Sequence, residues 1–282
     1  MQIENVDEPD KLVTLGSGSF AKVYCYRGSP YVFKQVHHPE NANVLLKEYR
    51  FCDRIYLQCN STSYFALPRA LAVHLPATER DAAVPAVPLT FGKAVQELFF
   101  PPNVQSKGPN LCRLYFGKTF VEQLSESSRP RFFNSSNFPL DAARYTQLRR
   151  RFPRELDSIE NVAHGMGEML GRLHGRAGVD GRDVEFVLGG DGMFGCSYWV
   201  IDFNQVREWN KTEDDIATLV SAFFSNDPYY PRPRPNDSLY QSFKKGYQEA
   251  FVQISSSGMP FADLFLQAIE QEQARRDAAV QV

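Results

Sequence analysis

The run Leu15-Gly16-Ser17-Gly18-Ser19-Phe20-Ala21-Lys22-Val23-Tyr24 decides how the chain is read. A G-x-G turn between two short β-type runs lets backbone N–H groups approach phosphate oxygens with no side chain in the way. An ordinary hairpin has the same appearance, so the turn needs company. Val32-Phe33-Lys34 puts a lysine in the following strand, and Glu48 falls fourteen residues beyond it in a segment of helical spacing. A lysine that touches phosphates needs a carboxylate to fix its rotamer, and this order supplies one.

Outward from that run, β-branched and aromatic residues bounded by Gly, Ser and Pro predict strands over Lys11 to Leu15, Ala21 to Tyr26 and Tyr31 to Val36. Leu45, Leu46, Tyr49, Phe51 and Ile55 predict a helix over Asn43 to Cys59. Thr90 to Phe100 and Leu111 to Phe116 read as further strands. From about Leu140 the texture turns helical, with helices expected over Ser158 to Arg176, Asp214 to Phe224, Leu239 to Ile254 and Phe261 to Ala278. Two short β-type runs, Val184 to Leu188 and Tyr198 to Phe203, interrupt them. Ser125 to Asn137 is polar and expected to be mobile, and Asp227 to Pro235 reads as a rigid, proline-rich loop. Strands first and helices afterwards predict an α+β chain of two lobes. The expected division is a β-rich part over 1–120 and a mainly helical part over 121–282.

Composition excludes some classes. The 282 residues carry a formal net charge of −2, so the whole chain is no basic nucleic-acid coat, although a local basic patch is allowed. No apolar run reaches the length of a membrane-spanning helix, and Met1 to Lys11 lacks the pattern of a secretory signal. A cytoplasmic location without membrane contact is expected. The five cysteines form no C-x-x-C pair and no Cys/His cluster, which predicts reduced thiols and no structural zinc.

Gly16, Gly18, Val23, Lys34 and Glu48 resemble the glycine-rich loop, strand lysine and helix glutamate of protein kinases, with Ala21 in place of the third glycine. The hinge would lie near Val95-Gln96-Glu97-Leu98. Asp180-Gly-Arg-Asp183-Val-Glu185-Phe-Val-Leu188 resembles the catalytic loop, and Asp202-Phe203-Asn204, whose aspartate stands 22 residues after Asp180, resembles the metal-binding D-F-G. The resemblance covers Leu12 to Arg207 and implies a protein-kinase-like fold, related to that of aminoglycoside phosphotransferases, with Gly16, Gly18, Lys34 and Glu48 around a nucleotide. The departures bear on function. Glu185 stands where kinases have asparagine, Asn204 replaces the D-F-G glycine, and Gly178-Val179 precedes Asp180 in place of His-Arg. Asp180, Asp183, Glu185 and Asp202 are then expected to converge on a cleft floor. Such a set needs a cation, either Mg²⁺ (held by Glu185 and Asp202) or a guanidinium.

A closer resemblance runs through Leu111 to Lys118, Leu173-His174, the D-x-x-D-x-E-F-V-L-G segment from Asp180 to Gly189, and Trp199 to Gln205. These stretches look like a fungal family that includes arginine-containing cyclodipeptide synthases, which couple aminoacyl groups delivered on tRNA. The resemblance implies arginyl-tRNA and a second aminoacyl-tRNA as partners, with no cofactor required. Asp180 or Glu185 would then be the base, and Asp183 or Asp202 the grip on the substrate guanidinium. For the tRNA phosphates, Arg149, Arg150, Arg151 and Arg154 are the best candidates, with Arg144 nearby and Lys118, Lys244 and Lys245 weaker. A solvated helix end has the same composition. Two other readings stay open: an ATP/Mg²⁺-dependent small-molecule phosphotransferase, and a pseudokinase-like binding module without turnover.

Overall fold

The computed structural model describes residues 12–26, 30–74, 78–82, 85–101, 108–120, 137–226, 228–252 and 259–280. The fold is α+β, with an antiparallel sheet at the N-terminal end and a helical C-terminal part. Strands β1 (Leu12–Ser17), β2 (Ala21–Tyr26) and β3 (Tyr31–Val36) form a meander, as their β-branched and aromatic content requires. Two further strands complete a sheet of order β1-β2-β3-β5-β4: β4 (Ala70–His74) and β5 (Thr78–Ala82). Helix α1 (Ala42–Cys59) buries Leu45, Glu48, Phe51, Ile55 and Cys59, a spacing of three and four that marks one helix face.

One expected strand is a helix. Thr90 to Phe100 forms α2 (Leu89–Phe99), which buries Phe91, Gly92, Ala94 and Val95. Its apolar residues recur at intervals of three and four rather than alternating, so the helical period wins over the local β-formers Thr90 and Val95. The expected hinge, Val95 to Leu98, accordingly lies inside this helix.

A second sheet, of order β7-β6-β8-β9, contains β6 (Leu111–Tyr115), β7 (Asn137–Asp141), β8 (Glu185–Gly190) and β9 (Cys196–Ile201). β6, which precedes the expected boundary at residue 120, pairs with β7 and β8. Helix α3 (Ala142–Arg151) opens the part of helical texture, and α4 (Ile159–Arg172), α5 (Ile216–Ser225), α6 (Ser238–Val252) and α7 (Met259–Val280) follow the expected segments within a few residues. A π-helical turn, Leu173–Ala177, extends α4 to Gly178, whose φ of 66° ends it in the left-handed region. Helices α4 and α6 meet through glycines. A Cβ on Gly167 would stand 1.9 Å from the Phe243 carbonyl oxygen, and one on Gly246 would stand 2.0 Å from that of His164. The core runs from Ile55 and Phe65 through Phe186 to Tyr247 and Phe265. The mobility expected for Ser125 to Asn137 concerns residues outside those described, apart from Asn137, which opens β7.

Candidate functional site

The glycine turn joins β1 to β2, and Gly18 donates its N–H to the Ala21 carbonyl at 3.0 Å. A Cβ on Gly16 or Gly18 would meet nothing within 4 Å, so both backbones lie open. The His37 imidazole Nε2 sits 2.8 Å from the Gly18 carbonyl oxygen and ties the turn to the end of β3. Below it, Lys34 on β3 forms an ion pair with Glu48 on α1. The Lys34 ammonium also lies 5.8 Å from the centre of the Phe20 ring. Burial works to lower the Lys34 pKa, but Glu48 and Asp202 outweigh it, and the group titrates above the ordinary lysine range.

Asp202 follows β9 with φ of 64°, a left-handed backbone unusual for a residue with a side chain. Its Oδ1 is buried and has no hydrogen-bond partner among the described residues, and the same holds for Asn204 Oδ1. A buried acceptor without a donor carries a desolvation cost, and strained, unsatisfied groups concentrate at functional sites.

The other three carboxylates are committed elsewhere. Asp180 is buried. It accepts hydrogen bonds from the backbone N–H groups of Arg182 (3.1 Å) and Arg207 (2.9 Å) and from Arg207 Nε (2.7 Å). Its own N–H donates to the Arg207 carbonyl, and Val179 bridges Glu208, so the loop is stitched to the segment after Asp202. Asp183, at φ of 62°, accepts from the Gln205 side-chain amide and donates its backbone N–H to Asn226 Oδ1 at 2.6 Å. Glu185 pairs with Arg113 of β6 at 2.6 Å. Burial would lower the Arg113 pKa, and the Glu185 charge reverses that and raises it. Among the described residues no three His, Cys, Asp or Glu side chains stand together as a metal site. The four-acid floor expected from sequence is therefore divided: Lys34, Glu48 and Asp202 act on one another, while Asp180, Asp183 and Glu185 each have local partners. The like-charge cost is removed by cations and amides within the fold.

His174 supports this loop from beneath and is fully buried. Its Nε2 faces the Asp180 carbonyl oxygen at 3.3 Å, and a carbonyl only accepts, so Nε2 carries the proton. Nδ1 then accepts from the Tyr247 hydroxyl at 2.8 Å. Burial lowers the His174 pKa to about 3. The imidazole is a neutral support.

The stretch from Tyr198 to Met259 holds Asp202, Asn226 and the proline-rich loop. A family model described as zinc finger protein, DUF3669, matches residues 198–259. This match contains no cysteine and no histidine, so nothing in it supplies the zinc ligands of a finger. No curated protein matches the chain. All five cysteines are free thiols, three of them partly exposed.

The basic residues expected to meet tRNA sit at the end of α3. Arg151 pairs with Glu97 at 2.7 Å, and Arg149 donates from Nε to the Leu156 carbonyl at 3.3 Å. Arg150 and Arg154 are exposed. Arg144 packs over Phe120, its guanidinium carbon 4.8 Å from the ring centre. Lys244 pairs with Glu270 at 2.8 Å.

Sequence reasoning missed four positioning residues. Arg113 lies within Leu111 to Lys118 and carries no motif of its own. Arg207 gave no signal beyond its place after the Asp202 segment. Asn226 clamps residues 181–183 from the end of α5, its Nδ2 donating to the Gly181 carbonyl at 2.9 Å. Arg172, buried on α4, donates from Nη1 to the carbonyls of Cys59 (3.0 Å) and Ser61 (2.6 Å), closing the C-terminal end of α1 and so fixing the helix that carries Glu48.

Proposed function

We propose that this chain is an arginine-containing cyclodipeptide synthase that joins an arginyl group and a second aminoacyl group, both delivered on tRNA, on a protein-kinase-like scaffold. The observation that carries the proposal is the Asp202 carboxylate: held near Lys34, its Oδ1 is buried and has no hydrogen-bond donor of its own. Such an oxygen suits an ammonium or guanidinium donor brought by a substrate.

The chemistry needs little else from the protein. The α-amine of one aminoacyl group attacks the ester carbonyl of the other. A C–N bond forms and the ester C–O bond breaks. The proton leaving the amine passes to a carboxylate and on to the departing ribose oxygen. A second attack, on the remaining ester, closes the ring and frees the second tRNA. Asp202 is assigned as the base or the amine-orienting group. Lys34, fixed by Glu48, is the cation placed to offset charge building on an ester oxygen. Asp180 keeps a positioning role, because both its oxygens accept bonds from Arg182 and Arg207. Glu185 reaches a substrate guanidinium only by exchanging Arg113 for it. Exposed Arg150 and Arg154 are assigned to tRNA phosphates.

The Lys34–Glu48 pair beneath an open glycine turn favours a second reading, an ATP-dependent phosphotransferase. The described residues fit its Mg²⁺ poorly, since Glu185 faces Arg113 and Asp180 faces Arg207. Heterologous expression with metabolite analysis separates the readings. Arginine-containing diketopiperazines whose formation in lysate is abolished by RNase support the synthase. Soluble protein with no such product, stabilised by several degrees with Mg·ATP, supports the phosphotransferase. Neither response leaves a binding module.

A further inference from the structure

The proline-rich loop singled out in the sequence is unused by the site above, and it is bonded to the segment after β6. Arg232 is partly buried, and its Nε donates to the Gly117 carbonyl at 2.7 Å. Its two terminal nitrogens have no hydrogen-bond partner among the described residues. One residue further along the chain from Gly117, Lys118 lies over Phe120, 5.0 Å from the ring centre, and Arg144 covers the same ring. On the other side of Arg232, Arg234 is held by Asp277 through two bonds of 2.8 Å. Arg276 is stacked 4.2 Å from the Phe224 ring centre and bonded to Glu272 at 2.7 Å. Burial, with Arg234 and Arg276 as like-charged neighbours, pushes Arg232 below the ordinary arginine range.

We infer that Lys118, Phe120, Arg144, Arg232, Arg234 and Arg276 form a docking track for the phosphate backbone of an RNA strand, the acceptor end of a tRNA on the reading proposed above. Three arguments support it. Arg232, held by the Gly117 carbonyl with Arg234 and Arg276 as like-charged neighbours, is the guanidinium whose repulsion an anion relieves. Each cation of the track is already ordered by a carbonyl, a carboxylate or a ring, which lowers the entropy lost on binding. The guanidinium planes of Arg144 and Arg276, backed by Phe120 and Phe224, give the bases of a single strand a flat cation to stack on while its phosphates meet the other charges. In Pro231-Arg232-Pro233-Arg234-Pro235 the Arg234 N–H donates to the Arg232 carbonyl at 2.7 Å, a tight turn at Pro233 that fixes the backbone between the two arginines.

The test is tRNA binding by the full chain across a salt series, which is independent of turnover. Arg232→Gln with Arg234→Gln is expected to weaken binding at least tenfold and to reduce the slope of log K against log salt by about 1.5, the loss of two phosphate contacts. Arg234→Gln with Arg276→Gln leaves the Gly117 contact intact and is expected to act alike, which separates docking from a folding defect. Wild-type affinity and slope in both variants overturn the track alone. A wild-type chain that binds no tRNA overturns both the track and the synthase reading.

Discussion

Two acidic stretches lie close in the chain and have opposite fates. The loop from Asp180 to Glu185 carries three carboxylates and satisfies all of them internally, with Arg207, Gln205 and Arg113 as partners. Asp202, following β9, shares Lys34 electrostatically with Glu48 and keeps one buried oxygen without a donor among the described residues. The difference shows that a count of acids in a motif says little about which one is available. Partners decide it: a carboxylate whose lone pairs are filled by the fold positions a loop, and one left unfilled is free to act on a substrate.

The largest test of that contrast is Asp180→Ala. It removes the acceptor for two backbone N–H groups and for Arg207, and a loss of about 2–3 kcal/mol in denaturant unfolding is expected, Arg207 being screened by its 44% exposure. A change below about 1 kcal/mol would mean that the loop carboxylate holds nothing. Asp202→Asn should do the reverse. Diketopiperazine formation is expected to drop about 100-fold, near 2.7 kcal/mol in the barrier, while unfolding shifts by less than about 1 kcal/mol. Equal product from this variant removes Asp202 from the reaction.

The neutral support beneath the loop predicts a pH response. The folded-state pKa of His174, about 3, lies below the unfolded value of 6.5, so the unfolded chain binds the proton first. The stability contributed by neutral His174 is complete above pH 6.5 and declines as pH falls toward 3. Between pH 7 and pH 5 that amounts to about 2 kcal/mol, and His174→Gln should lose that part of the pH dependence in parallel urea titrations. Identical slopes for the two proteins would place the imidazole in solvent. The smallest effect belongs to Arg113→Met, which leaves Glu185 partly buried without its cation. About 1–2 kcal/mol of stability should be lost, and most of it should return in the double variant with Glu185→Gln, a coupling that a double-mutant cycle reads directly.

Much of the frame was legible from residues alone. The G-x-G turn, Lys34 and Glu48 fall into a hairpin, a strand and a helix in the order their spacing predicts, and the ion pair between them forms. The division of the four acids among separate partners was not legible, because Arg113 and Arg207 carry no motif and reach their partners only through sheet pairing and the stitched loop. Arg172 is more hidden still, joining α1 across 113 residues of chain. Helix α2 reads as a strand in the sequence because short apolar runs suit both periods until packing selects one face.

Local order along the chain therefore determined the elements, the glycine turn and the identity of the lysine, glutamate and aspartate that share one charge environment. Periodicity and turn chemistry act over a few residues, and a sequence displays them directly. Only the tertiary structure decided which carboxylates are spent on the fold, which one keeps a vacant acceptor, and that the proline-rich loop meets Gly117. Neutralising a charge depends on distances of about 3 Å between side chains from remote segments, and nothing local in the chain sets those distances.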